Sequence, residues 1–101
     1  MARYILAPFA QQDLAHIRDY YLQEAGYRTA RRMMTEFVEA FQSLAKNPGI
    51  GHKREDLVQA RPVLFWRVRD FLVVYRAMPG RVEIVTLVHG NRDVASLLAR
   101  R

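Results

Sequence analysis

Residues 63–93, VLFWRVRDFLVVYRAMPGRVEIVTLVHGNRD, decide the fold of this 101-residue chain. Three runs of β-branched, aromatic and aliphatic residues (Val63 to Val68, Phe71 to Ala77, Val82 to His89) are separated by Arg69-Asp70 and by Met78-Pro79-Gly80-Arg81. Both separators are turn-like by composition, so the pattern predicts an antiparallel β-meander. Arg67, Arg69, Arg76, Arg81 and Arg92 are set in this stretch among Trp66, Phe71, Tyr75 and His89. That is a high density of guanidinium for a sheet that must also bury a face. The cations need a partner, and its identity is the functional question.

Upstream of the meander, Arg3 to Leu6 is a short apolar run, and Pro8 suits the first turn of a helix because its missing N–H has no intrahelical acceptor there. From Phe9 to Ala25 the residues Ala10, Leu14, Ile17 and Tyr21 recur at helical spacing, with polar residues between them. Gly26 supplies a left-handed terminus, and a second helix is predicted from about residue 27 or 28 to Ala45. Its stripe is Ala30, Met33, Met34, Phe37, Phe41 and Leu44, with Arg31, Arg32, Glu36, Glu39 and Gln42 on other faces. So short a connection predicts an antiparallel helical hairpin. Asn47-Pro48-Gly49-Ile50-Gly51 ends the second helix, and residues 47–62 form the longest irregular stretch. After the meander, Asn91 or Asp93 is placed to cap a short C-terminal helix from Val94 to Arg101, whose Val94, Leu97 and Leu98 return one face to the core. The expected fold is α+β: an N-terminal strand, an antiparallel helical hairpin packed on the antiparallel meander, and a short last helix, all in a single domain spanning residues 1–101.

Formal net charge is +6 with a pI near 10.3. The charge is unevenly placed: residues 1–60 carry eight basic and seven acidic groups, residues 61–101 eight and three. Lys46 and Lys53 are the sole lysines, and arginine suits planar carboxylate or phosphate partners better than lysine does. Without cysteine there is neither a disulfide nor a thiolate metal site, and a cytoplasmic location is expected. His16, His52 and His89 stand at no metal-ligand spacing, so no metal and no cofactor is expected. Gly49-Ile50-Gly51 lacks the strand, third glycine and helix of a nucleotide fingerprint. No stretch approaches the roughly 20 apolar residues of a membrane span, so no membrane partner is expected.

Several segments in this order carry a resemblance. They are Ala10, Asp13, Leu14, Ile17 and Tyr20-Tyr21; Pro48-Gly49-Ile50-Gly51; Trp66-Arg67-Val68; Phe71 to Arg76; Val82-Glu83-Ile84; and Leu87 to Asp93, with its His89-Gly90-Asn91-Arg92-Asp93 ending. Together they resemble the ParE/RelE superfamily of type II toxin–antitoxin toxins, over essentially the whole chain. RelE-like members are ribosome-dependent messenger RNA endonucleases, in which basic and aromatic groups assist attack by the ribose 2′-hydroxyl. A tyrosine commonly follows their terminal arginine motif. Here Arg92 is followed by Asp-Val-Ala-Ser-Leu-Leu, and the second helix offers Glu36, Glu39, Gln42 and Ser43, with Lys46 at its very end. General acid–base groups for RNA cleavage are therefore missing at those positions. The resemblance accordingly implies the ParE-like, plasmid-stabilisation branch: a non-enzymatic inhibitor of DNA gyrase, held with a ParD-like cognate antitoxin in a hetero-oligomer. The alternatives are a RelE-like endonuclease working through Arg67, Arg76, His89 and Arg92, and a non-toxic basic nucleic-acid-binding module.

For antitoxin or target binding the residues singled out are Arg67, Arg76, Trp66, His89 and Arg92. Arg67 and Arg76 lie on successive strands and are expected to form a shared cationic patch covered by an acidic, amphipathic antitoxin segment. Pairing with Asp70, Glu83 or Asp93 is the competing explanation. Arg69, in the turn, reads as an exposed solubilising charge. His89 has a structural reading as well as a binding one, and Arg92 could pair with Asp93. Phe71 and Tyr75 read as core, since Phe71, Val73 and Tyr75 alternate to one face. Trp66 could stack with bases or pack.

Overall fold

The computed structural model describes residues 3–53 and 62–90. The expected C-terminal helix, its cap at Asn91 or Asp93, and Arg92 lie outside the described residues, as do Arg54, Glu55 and Asp56 of the long loop. The described elements are β1 (Tyr4–Leu6), α1 (Pro8–Lys46), a 3-10 turn (Pro48–Ile50), β2 (Leu64–Val68), β3 (Phe71–Met78) and β4 (Arg81–His89). The class is α+β, and the three meander strands fall within a residue of their predicted limits.

The sheet order is β1-β4-β3-β2. β2, β3 and β4 form the antiparallel meander, with Val68 opposite Phe71 at the first turn and Met78 opposite Arg81 at the second. Arg69 at φ 52 and Gly80 at φ 76 supply the left-handed residues of the two turns. β1 pairs with β4 in parallel, Tyr4 opposite Val82 and Leu6 opposite Ile84, so the four-stranded sheet is mixed and not purely antiparallel. The helical element between them supplies the long crossover that parallel pairing requires. A register shift at Val74/Tyr75 leaves Val85 as an extra residue on β4, a β-bulge.

The two expected helices are one helical element broken at Gly26, whose φ 85 and ψ 173 are non-helical. A straight helix of 39 residues would run ~58 Å. The longest dimension of the molecule is 38 Å, so the two arms turn relative to each other at Gly26. Glycine takes that positive φ without the steric cost a Cβ would impose. Both arms lay rings on Phe71: Tyr21 of the first arm at 6.5 Å and Phe37 of the second at 5.7 Å. Pro8 occupies the first turn as expected, and Asn47 N–H donates to Ser43 O at the other end.

The main core lies between α1 and one face of the sheet. It joins Ala10, Ile17, Met33, Phe37, Phe41 and Leu44 to Val68, Phe71, Val73, Tyr75, Val82 and Ile84. Burial of each large aliphatic or aromatic side chain there stabilises the fold by roughly 1.5–3 kcal/mol. On the other face Phe65, Leu72, Val74 and Val88 form a second buried cluster. Two-sided burial explains why β3 reads as a continuous apolar run from Phe71 to Tyr75.

Candidate functional site

Antiparallel pairing sends β2 and β4 in the same direction, so Arg67 near the end of β2 and His89 at the end of β4 reach the same end of the sheet. The turn ties them together: Gly90 N–H donates to Asp70 O at 2.8 Å. Arg67, Asp70, His89 and Gly90 thus line a small polar notch of about 230 Å³. Arg67 is exposed and its Nη1 donates to Arg69 O at 3.1 Å. A Cβ at Gly90 would stand 3.3 Å from Asp70 O and 3.5 Å from Arg67 Nη2, so the bare glycine keeps the notch open. The His89 ring meets Phe71 edge-on at 5.3 Å, which fixes the imidazole against the core end of β3. The notch sets the exposed Arg67 guanidinium beside the His89 ring and Asp70, with room for one small group.

Arg76 does not join it. Arg67 is opposite Leu72, and Arg76 lies four residues further along β3, ~13 Å away along the strand. Arg76 instead donates from Nε to Glu83 Oε1 at 2.6 Å, across its registered pair on β4. The expected shared patch of Arg67 and Arg76 is therefore two separate sites, one open and one internally paired. Trp66 points to the opposite face from Arg67: it is half-buried against the main core and stacks on His52 at 6.0 Å and 12°. Arg92 lies outside the described residues.

Arg69, expected to be an exposed solubilising charge, is exposed but also has a partner. Its Nε and Nη2 donate to the two carboxylate oxygens of Glu36, both at 2.7 Å. That hydrogen bonding, ahead of the Arg69 and Arg32 charges and against slight burial, holds the Glu36 carboxyl below its ordinary pKa. The same bond, with the Glu36 charge, raises Arg69. The fork clips the β2–β3 turn to the second arm of α1 and orients the turn that lines the notch.

Two further polar devices position the sheet. Asp13 Oδ2 accepts from the Thr86 hydroxyl at 2.5 Å and from Leu87 N–H at 3.0 Å, pinning the first arm to β4 just past its bulge. Asp13 belongs to the segments that carry the family resemblance, but a polar residue beside an apolar stripe gives no sign of a partner 73 positions away. The buried Tyr75 hydroxyl donates to Pro48 O at 2.7 Å and accepts from Gly51 N–H at 2.8 Å. Burial raises the Tyr75 pKa, with the Gly51 hydrogen bond acting in the other direction. A Cβ at Gly51 would overlap that hydroxyl, which accounts for glycine there without any phosphate-binding role. The described residues contain no group of three or more His, Asp or Glu that could hold a metal ion.

The fold is shared with a solved structure described as a chromosomal ParDE toxin–antitoxin system from P. aeruginosa: the match has a TM-score of 0.72 at 20% identity, covering 88% of this chain and 96% of that one. A search of curated proteins returned no match. The decisive comparison is with the family described as the ParE toxin of the type II toxin–antitoxin system, parDE, whose sequence model matches residues 4–94. This chain belongs to that family, and is a type II toxin of the ParE kind.

Proposed function

We propose that the chain acts as a non-enzymatic inhibitor of DNA gyrase in the cytoplasm, neutralised by binding a cognate ParD-like antitoxin in a hetero-oligomer. The observation that carries this reading is the notch: Arg67 and His89 converge with Asp70 and Gly90, while Arg76 is held away by Glu83. An RNA-cleaving site needs several acid–base groups within hydrogen-bond reach of one phosphodiester. One guanidinium and one imidazole over a turn are better suited to gripping a carboxylate or phosphate of a partner than to turning over a substrate. The notch is accordingly assigned to the target.

The test is a gyrase supercoiling and DNA-cleavage assay run beside ribosome-programmed messenger RNA cleavage, each repeated with antitoxin. Lost supercoiling or trapped cleaved DNA, relieved by antitoxin and without RNA cuts, is the expected result. RNA cleavage with gyrase unaffected would overturn the proposal in favour of an endonuclease.

A further inference from the structure

β1 is an edge strand, and its hydrogen-bonding groups divide cleanly in two. Val82 N–H donates to Arg3 O, and Ala7 N–H donates to Ile84 O. Parallel pairing alternates, so Arg3, Ile5 and Ala7 turn their backbone groups toward β4, while Tyr4 and Leu6 turn theirs to the open side. On that side Gln11 Nε2 donates to Leu6 O at 2.9 Å. Tyr4 N–H, Tyr4 C=O and Leu6 N–H have no partner among the described residues. An exposed edge of this kind is a template for another strand.

A groove of about 560 Å³ runs beside it, between β1 and the last turns of α1. Its apolar lining comes from Tyr4, Ile5 and Ala45; Ile5 is 39% exposed, although it is a large aliphatic in the sheet. Three cations, Arg3, Lys46 and Arg81, surround these, all exposed and none with a carboxylate partner among the described residues. Open ladder groups, an apolar floor and a cationic rim meet at one place.

We infer that an acidic, extended segment of the antitoxin docks here as a fifth strand beside β1. The inference rests on the antitoxin-bound toxin proposed above. Main-chain bonds to Tyr4 and Leu6 supply the pairing, apolar side chains on the two faces of the added strand cover Ala45 on the helix side and Ile5 on the other, and carboxylates face Arg3, Lys46 and Arg81. The groove flanks the start of β4 and the notch its end, ~26 Å apart along the strand. Antitoxin held at the edge therefore has to reach along the molecule to shield the notch, so the two surfaces are separable by mutation.

The experiment uses the full chain with and without its cognate antitoxin. Amide hydrogen exchange should slow at Tyr4 and Leu6 by about tenfold or more in the complex, while Ile5, already bonded to β4, changes little. The triple charge reversal Arg3→Glu, Lys46→Glu, Arg81→Glu should weaken antitoxin binding about tenfold at 0.1 M salt, chiefly through association rate. Arg28→Glu, Arg31→Glu, Arg32→Glu, an equal charge change on the exposed face of the second arm, should cost far less. A complex in which Tyr4 and Leu6 exchange as in the free chain, or equal weakening by the two triple variants, would overturn the edge site and leave the family's function standing. No complex at all with the unaltered chain would overturn both, and that outcome is visible before any variant is made.

Discussion

The Tyr75 clamp and the Arg67 notch lie on the same sheet, yet their polar groups are treated in opposite ways. At the clamp the hydroxyl is fully buried and makes two hydrogen bonds, one donated and one accepted. No buried side-chain nitrogen or oxygen among the described residues lacks a partner. At the notch Arg67 faces solvent and, among the described residues, makes a single hydrogen bond, to a backbone carbonyl, so several of its guanidinium donors find no partner within them. Burial forces internal saturation, because an unmet polar group costs about 1–3 kcal/mol there; exposure does not. The difference separates residues whose polar groups are spent on building the fold from residues whose polar groups stay open to solvent.

The contrast breaks if substitutions in the two regions have similar consequences. The largest loss of stability is expected at the other saturated contact, for Asp13→Ala, which removes the acceptor that the buried Thr86 hydroxyl and Leu87 N–H share: about 2–3 kcal/mol by urea denaturation. For a domain of this size that lowers the melting temperature by roughly 10 °C or more. Tyr75→Phe keeps the ring and removes both clamp bonds, for about 1–2 kcal/mol. Arg67→Glu should stay within about 0.5 kcal/mol of the parent in stability while abolishing growth inhibition, measured by induced expression without antitoxin. A Tyr75→Phe protein as stable as the parent, or an Arg67→Glu protein that unfolds early, would erase the distinction.

What the sequence disclosed follows the range of each interaction. Strands β2 to β4 and the break at Gly26 were legible because apolar runs, turn residues and glycine act within a few positions. The tethers of Asp13 to Thr86, Tyr75 to Pro48 and Arg69 to Glu36 span 73, 27 and 33 positions, and no local pattern reports them. β1 was legible as an element, but three residues cannot specify a parallel partner near the other end of the chain. Within the site, Arg67 and His89 were named from sequence. Their meeting depended on the Gly90 to Asp70 bond, and the grouping of Arg76 with Arg67 failed because alternation gives a side chain's face and not its distance along the strand.

The smallest expected effect sharpens the comparison, because the Arg69–Glu36 fork lies between the two regimes: exposed like the notch, doubly bonded like the clamp. Since the folded state holds Glu36 below its ordinary pKa, the pair's contribution is fully present above the unfolded glutamate value and is lost as pH falls through the lowered folded value. Solvent screens so exposed a pair, so the signature to read is the titration itself and not the melting temperature. Carbon-detected NMR of the Glu36 carboxyl should give a midpoint below that of a free glutamate, moving up in Arg69→Gln and with added salt. If the midpoint is ordinary in the parent, the fork does not persist in solution, and the turn that shapes the notch is held by Gly90 and Asp70 without help from the helix.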